Sequence, residues 1–132
     1  MNLVSIRIIT RSVNRLVTFY EVVTASPARW ATPDFAEIVT SAGTLAIGSE
    51  RTAALFAAGS VEPATNRSVI IEFRVDDVDA EYRRLAGQVG EVVQEPTTMP
   101  WGNRSALVRD PDGNLVNLFT PVTSDALARQ DG

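Results

Sequence analysis

The stretch that decides the fold runs from Trp101 to Phe119 and reads WGNRSALVRDPDGNLVNLF. Two runs rich in apolar residues flank the turn sequence DPDG at positions 110–113. Proline presets its own backbone angle, aspartate side chains bond nearby amides, and glycine accepts a positive backbone angle, so this sequence predicts a tight β-hairpin. In the second strand, alternation places Leu115, Asn117 and Phe119 on one face. Because a single amide lies there between two apolar residues, we interpret this face as the wall of a cavity.

Outward from this hairpin, the chain twice shows the order strand, helix, strand, strand, strand. In the first half, residues 3–10 alternate as a strand, and Ser12 is a candidate N-cap for an amphipathic helix. In the second half, residues 68–75 alternate as a strand, and Asp76 or Asp77 is expected to cap the next helix. Matching Ser12 with Asp77 aligns the halves with an offset of 65 residues. Such an internal repeat indicates two copies of one βαβββ unit.

The repeat divides the chain into parts, which we expect to form a single domain over residues 1–132. These parts are a module at 1–49, a linker at 50–67, a second module at 68–121 and a tail at 122–132. The linker interrupts the pattern with Gly59 and Pro63, and we expect one helical turn in it. The tail is expected to hold one terminal turn. The shorter strands are expected near 28–31, 35–41, 44–48 and 91–95.

Composition excludes several classes of function. The net charge of -4 and the lack of a basic run disfavour nucleic-acid binding. The chain has no His, Cys or Lys, which excludes a serine–histidine or cysteine nucleophile, a Schiff-base lysine and an imidazole base. It also excludes thiolate and imidazole metal ligands, so that only oxygen-rich metal sites remain. We find no signal peptide and no membrane span, and we expect a cytoplasmic protein with no membrane partner.

The hairpin and the repeated unit resemble the vicinal-oxygen-chelate superfamily, which includes glyoxalase I, the bleomycin-resistance proteins and the extradiol dioxygenases. The family run is close to Trp-Gly, a strand, Asp-Pro-Asp-Gly-Asn, and a strand that carries a metal-binding Glu. In this chain Asn117 stands in place of that Glu. The resemblance implies an α+β fold in which two βαβββ modules form curved sheets around a cavity. It also implies a homodimer.

The resemblance further locates the positions that hold a metal ion in metal-dependent members. In those members the ligands point into the cavity, and carried over position by position they fall on Ser5, Ile47, Ile70 and Asn117. A hard divalent cation requires several oxygen ligands, with carboxylates supplying the charge, and none of these four residues is a carboxylate. We therefore expect neither a metal ion nor another cofactor.

A charged group is expected in the predicted cavity. Arg7 and Glu72 are equivalent under the offset of 65, and Arg74 lies one pleat beyond Glu72 on the same face. We predict that Arg7 and Glu72 meet across the cavity. The pair then either orients a polar ligand, with Glu72 as a candidate general base, or is a structural ion pair that neutralises semi-buried charge.

Aromatic residues complete the predicted binding site. Trp101 at the mouth of the hairpin and Phe119 offer rings on which a flat ligand can stack, although a single tryptophan more often packs in a core or a dimer interface. The full set of predicted ligand-binding residues is Ser5, Arg7, Glu72, Arg74, Trp101, Asn117 and Phe119.

These residues favour metal-free binding of a small planar or aromatic molecule, similar to the bleomycin-resistance branch of the superfamily. The alternative is a lyase, isomerase or dioxygenase of the same superfamily that uses Glu72 or a non-standard metal site. In a third interpretation the homodimer itself is the functional object and no ligand binds. Fold alone does not decide among the three.

Overall fold

The structure, a computed structural model, describes residues 1–131 and confirms the α+β fold of two βαβββ modules. The chain divides into two compact units, one spanning Met1–Asn66 and the other beginning at Arg67. In chain order the elements are β1 (Ser5–Thr10), α1 (Val13–Thr24), β2 (Arg29–Thr32), β3 (Phe35–Val39), β4 (Thr44–Ser49), α2 (Glu50–Ala53), β5 (Ile70–Arg74), α3 (Val78–Leu85), β6 (Glu91–Thr98), β7 (Asn103–Arg109), β8 (Leu115–Pro121) and α4 (Ser124–Asp131).

The two units contain sheets of the same topology. The strand order is β1-β4-β3-β2 in the first unit and β5-β8-β7-β6 in the second. Strand β1 runs parallel to β4, and β5 runs parallel to β8. All other neighbouring strands are antiparallel. This arrangement confirms that the repeat seen in the sequence is a repeat of structure.

One face of each sheet packs against a helix, because the helix presents an apolar stripe. Leu16 and Tyr20 of α1 are fully buried, as is Ile47 on the facing side of β4. In the second unit, the backbone N–H of Val78 in α3 donates to Oγ1 of Thr120 at 3.0 Å, which joins the start of the helix to β8. Burial of apolar side chains at these contacts is the main source of stability for each unit.

The other face of each sheet is called here its open face. Strand register places Ser5, Arg7, Ile9, Phe35, Glu37, Ala46 and Gly48 on the open face of the first sheet. It places Ile70, Glu72, Arg74, Ser105, Leu107, Arg109, Leu115, Asn117 and Phe119 on the open face of the second sheet.

A short helix follows the last strand of each unit and packs beside the sheet. In the first unit, a Cβ built on Gly48 would lie 2.6 Å from Oγ1 of Thr52 in α2, so the helix approaches the open face closely. In the second unit, Arg74 of the open face pairs with Asp131 of α4 at 2.7 Å. The predicted helical turn of the linker is therefore α2, and the predicted terminal turn is α4.

The DPDG hairpin has the predicted structure. Oδ1 of Asp110 accepts hydrogen bonds from the backbone N–H groups of Asp112 and Asn114, both at 2.9 Å. Oδ2 of Asp110 accepts a third from the side-chain amide of Asn114 at 2.8 Å. Gly113 has a φ of 85°, in the left-handed region that glycine enters without strain. These local interactions fix the register of β7 against β8.

Helix caps and the ends of several strands differ from the sequence predictions; β3, for example, ends at Val39 rather than at residue 41. Ser12 is the N-cap residue of α1, but its side chain makes no capping hydrogen bond. Asp77, rather than Asp76, caps α3 and accepts from the backbone N–H of Ala80. Strand β6 extends three residues beyond the predicted end at Glu95, to Thr98.

The outer edge strands are irregular. Pairing of β2 with β3 shifts register between Trp30 and Thr32, and pairing of β6 with β7 shifts register twice between Val92 and Thr97. Strands β1 and β5, at the opposite edges, pair in an unbroken register. None of the described helices combines the length and the apolar character needed to cross a bilayer.

Candidate functional site

A carboxylate and an amide meet on the open face of the second sheet. Glu72 and Asn117 are register partners on the parallel strands β5 and β8. The side-chain amide of Asn117 donates through Nδ2 to Oε2 of Glu72 at 2.8 Å. An ionised carboxylate only accepts hydrogen bonds, so this contact fixes which end of the amide faces Glu72.

The two residues differ in exposure. Asn117 is 8% exposed, whereas Glu72 is exposed because β5 is an edge strand with no neighbour on its other side in this sheet. Oδ1 of Asn117 is buried and has no hydrogen-bond partner among the described residues. Asn117 is therefore a buried residue that holds Glu72 by a hydrogen bond, and Glu72 is the more accessible of the two.

Arginines on this open face are occupied by other partners. Nη1 of Arg74 pairs with Oδ1 of Asp131 at 2.7 Å. Nη1 of Arg109 donates to the carbonyl oxygen of Gly113 at 3.0 Å, and its Nε lies 3.6 Å from Glu91. Within residues 67–131, Glu72 forms no ion pair with an arginine. The carboxylate of Glu72 is thus held by a neutral amide rather than by a cation of its own unit.

The aromatic residues of the predicted site lie in the second unit but differ in access. Trp101 is 56% exposed and precedes β7, and its carbonyl oxygen accepts a hydrogen bond from Nη2 of Arg129 at 2.6 Å. Phe119 is on the same open face as Glu72 but is only 7% exposed. Its ring can stack on a ligand only if the side chains around it move, whereas the indole of Trp101 is accessible.

Ser5 and Arg7 belong to the open face of the first unit. The guanidinium of Arg7 lies 5.0 Å from the ring centroid of Phe35 and 5.7 Å from that of Phe56, distances at which a cation is attracted to the ring face. The predicted meeting of Arg7 with Glu72 joins the two units and stays a prediction.

The four positions carried over as metal ligands do not fit a metal ion. Ile47 is fully buried on the α1 side of its sheet and shares a face with Ile8, not with Ser5, so its placement on the cavity wall was wrong. Ile70 is a hydrocarbon side chain on the second open face. Asn117 turns its nitrogen, which cannot coordinate a metal, toward the nearest carboxylate. The described residues contain no group of three or more Asp, Glu, His or Cys side chains that could hold a metal ion.

Two ion pairs outside the open faces alter the ionisation of their carboxylates. The hydrogen bond from Arg104 lowers the pKa of Asp79 below its usual value, and this pair joins α3 to β7. The hydrogen bonds from Arg51 lower the pKa of Asp34 below its usual value. Both pairs are partly solvent-exposed and structural in position.

Sequence reasoning missed the residues that α4 brings to this region. Asp131 forms an ion pair with Arg74, and Arg129 donates a hydrogen bond to the carbonyl oxygen of Trp101. Asp131 and Arg129 both lie in the tail, outside the predicted modules. Their sequence signal was weak and consisted of the terminal helical turn expected at 124–129.

Comparison with known proteins places this geometry in a family. A family model described as Glyoxalase/Bleomycin resistance protein/Dioxygenase superfamily matches residues 2–118. A solved structure named "conserved domain protein" is 27% identical, with a TM-score of 0.74, and the match covers 92% of this chain and 99% of that one. A glyoxalase/bleomycin resistance protein/dioxygenase family enzyme from Burkholderia phytofirmans has the same fold, at 18% identity, a TM-score of 0.77 and coverage of 89% and 97%.

A curated relative matches over a shorter stretch. "Putative glyoxylase CFP32" of Mycobacterium tuberculosis is 35% identical over 52 residues, which are 39% of this chain and 20% of that protein. The chain thus matches one fifth of the length of this relative.

Proposed function

Because the chain belongs to the glyoxalase/bleomycin resistance protein/dioxygenase superfamily, we propose that it binds a small planar or aromatic molecule on the second open face without a metal ion. The hydrogen bond between Asn117 and Glu72 carries this proposal. It fixes an exposed carboxylate beside Asn117, the position at which the resemblance implies a metal ligand. A few fixed polar groups among apolar side chains are typical of small-molecule sites.

Apolar surface next to the carboxylate supports binding of an organic ligand. Ile70 is 49% exposed on the same strand as Glu72, two residues away, and Leu115 is its register partner. Trp101 adds an accessible indole at the start of β7. Such a surface contributes affinity through burial, while the carboxylate sets the orientation of the ligand.

The alternative function is an enzyme of the same superfamily in which Glu72 is a general base. The exposure of Glu72 favours this alternative, since a base must reach the proton that it removes. A lone carboxylate base contributes roughly 10²–10⁴-fold to a rate. That factor suits an easy proton transfer but not a demanding step, so we rank binding first.

We also propose that the protein is a homodimer. Ile6 lies on the edge strand β1 and is 49% exposed. Apolar side chains on an unpaired strand edge favour association with a partner. Sedimentation at micromolar concentration tests this proposal, and a monomer of undiminished thermal stability would contradict it.

A thermal-shift screen with planar aromatic metabolites and antibiotics tests the proposed binding. A ligand at about one hundred times its dissociation constant stabilises the folded protein by about 2.7 kcal/mol. Trp101→Ala should then abolish or strongly weaken binding. The matched control is Trp30→Ala, which removes the other exposed tryptophan, located in the first unit.

Two further measurements separate binding from catalysis and from metal dependence. The ligand should be recovered chemically unchanged after many hours with the wild-type protein, and chelator treatment should leave the affinity unaltered. Conversion that Glu72→Gln stops while preserving affinity would establish the enzyme alternative. Stoichiometric uptake of Mn²⁺ or Mg²⁺ on the open face would overturn the metal-free proposal.

A further inference from the structure

We infer that the ligand of the second open face is a planar cation with two or more N–H donors, such as an amidinium, a guanidinium or a protonated amino-heterocycle. This inference rests on the proposed function and specifies its ligand class. Glu72 is the anchor, and Asn117 is a positioning residue that holds it.

The hydrogen-bonding capacity at this point of the sheet is that of an acceptor. Asn117 uses Nδ2 to hold Oε2 of Glu72, and no donor from residues 67–131 bonds Oε1 of the same carboxylate. Each carboxylate oxygen has two lone pairs, so Oε2 can accept a second hydrogen bond. A ligand that presents two parallel N–H groups matches both oxygens, as in the paired contacts that amidinium-like groups make with carboxylates.

The charge of the open face favours a cation. Register places two arginines, Arg74 and Arg109, on this face, and each is engaged with a carboxylate or a backbone carbonyl. An anionic ligand there is repelled by Glu72, and both guanidinium groups of this face already hold an acceptor. A cationic ligand meets a carboxylate that no arginine of the second unit neutralises, and the net charge of -4 acts in the same direction.

Glu72 and Asn117 differ in exposure and therefore have different roles in binding. Asn117 is 8% exposed, so a ligand does not contact it without displacing its neighbours, whereas Glu72 is exposed. The amide restricts the rotation of the Glu72 side chain and removes part of the entropy cost of binding. Loss of Asn117 should therefore weaken recognition of charge without removing the charge itself.

Three probes of nearly the same shape test the inference on the full-length protein: benzamidinium, neutral benzamide and anionic benzoate. Heteronuclear NMR titration reports both affinity and location. We expect benzamidinium to bind about ten- to a hundredfold more tightly than benzamide, which is the range for a hydrogen bond to a charged group. Benzoate should bind more weakly than benzamide, and the shifted amide resonances should centre on β5 and β8.

Variants test the role of each residue. Glu72→Gln keeps the shape and removes the charge, so the preference for benzamidinium over benzamide should fall to about twofold or less. Asn117→Leu should reduce that ratio severalfold while benzamide affinity changes little, which a purely structural role would not produce. The control is Glu95→Gln on β6, which removes a carboxylate from the opposite edge strand of the same sheet and should leave the ratio unchanged.

The possible results separate the inference from the proposed function. Equal affinity for the three probes, or no binding of benzamidinium, would show that the ligand class is wrong, even where other aromatic compounds of the screen bind. A screen in which no compound of any charge binds would instead contradict the proposed function. If Asn117→Leu does not fold, the ratio measured for Glu72→Gln decides the outcome.

Discussion

The open faces of the two sheets use equivalent positions in opposite ways. In the first unit the third residue of β1 is Arg7, its register partner on β4 is Ala46, and its guanidinium lies over two aromatic rings. In the second unit the third residue of β5 is Glu72, and its partner on β8 is Asn117, which donates a hydrogen bond to it. The backbone is thus repeated within the molecule, while the charge and its support are not.

A repeated fold therefore does not repeat the chemistry of its faces. The strand partner decides the chemistry, because a methyl group at Ala46 leaves Arg7 to aromatic side chains, while an amide at Asn117 holds a carboxylate directly. The first open face is also approached closely by its own chain at Thr52. The proposed ligand recognition therefore concerns the second face alone, and the following predictions test the contrast.

The largest expected effect comes from two isoleucines that the resemblance treats alike. Ile47→Ala removes a fully buried side chain beneath α1 and should lower the free energy of unfolding by about 2–5 kcal/mol. Ile70→Ala changes a residue that is 49% exposed on the second open face and should cost about 0.5 kcal/mol or less. Chemical denaturation measures both. Similar losses for the two variants would show that Ile47 and Ile70 do not differ in burial.

Substitutions at two glycines test how closely α2 and α4, the helices that follow the last strand of each unit, pack against the sheets. Gly102 has a φ of 94°, and a Cβ there would clash with Oγ1 of Thr123, so Gly102→Ala should destabilise by about 2–4 kcal/mol. In Gly48→Ala the new methyl group conflicts only with Oγ1 of Thr52, at 2.6 Å, and the substitution should cost about 1–2 kcal/mol.

A control and a rescue accompany the glycine variants. A methyl group added at Gly43 would have no neighbouring atom within 4 Å, and the φ of Gly43 is not positive, so Gly43→Ala should be nearly neutral. Addition of Thr52→Ser would not relieve Gly48→Ala, since the hydroxyl remains, whereas Thr52→Ala should restore part of the loss. Neutral behaviour of Gly48→Ala would mean that α2 does not lie against the first open face.

A double-mutant cycle on Glu72 and Asn117 measures how strongly the amide holds the carboxylate, an interaction that Arg7 and Ala46 lack in the first unit. The singles Glu72→Ala and Asn117→Ala and the double variant should return an interaction free energy of about 0.5–1.5 kcal/mol. The same cycle with Glu72→Ala and Glu95→Ala should return almost none, because these carboxylates lie on opposite edges of the sheet. A vanishing value for the first cycle would show that the amide does not hold the carboxylate.

The smallest effect on stability is expected at the ion pairs Asp79–Arg104 and Asp34–Arg51, one in each unit, since both pairs are partly exposed. Their hydrogen bonds lower the pKa of each aspartate below 3.8 in the folded state. The contribution to stability is therefore complete above that value and is lost as pH falls through the lowered pKa. Asp79→Asn and Asp34→Asn should each reduce the melting temperature slightly at neutral pH. Both differences from wild type should shrink during acidification, and a difference that grows would contradict the assigned direction.

Most of the fold was accessible to sequence reasoning because local rules and the repeat agreed. The DPDG turn predicted the hairpin, and alternation in β8 correctly placed Asn117 and Phe119 on one face. The resemblance was less reliable in β4, where it placed Ile47 on the cavity wall although this side chain lies on the α1 side of the sheet. Ala46, Ile47 and Gly48 are all buried, so no polar face of this strand marks which side chains belong to the open face.

The candidate site was less predictable, because it depends on register between distant strands. Glu72 and Asn117 are 45 residues apart, and no local pattern states that β5 and β8 pair with these residues opposite one another. The meeting of Arg7 with Glu72, which the repeat suggests by symmetry, stays a prediction. The engagement of Arg74 by Asp131 was equally hidden, since it depends on where α4 docks after the last strand.

The irregular outer edges have a consequence for how this protein behaves at high concentration. The register shifts in β2 and β6, together with Pro96 in β6, interrupt the ladder of backbone groups that an incoming strand would need. A growing fibril or a misfolded copy finds no continuous template along these two strands. Straightening β6, for instance by Pro96→Val, should therefore raise the tendency to aggregate through that edge, with no change required in the core or in the ligand face.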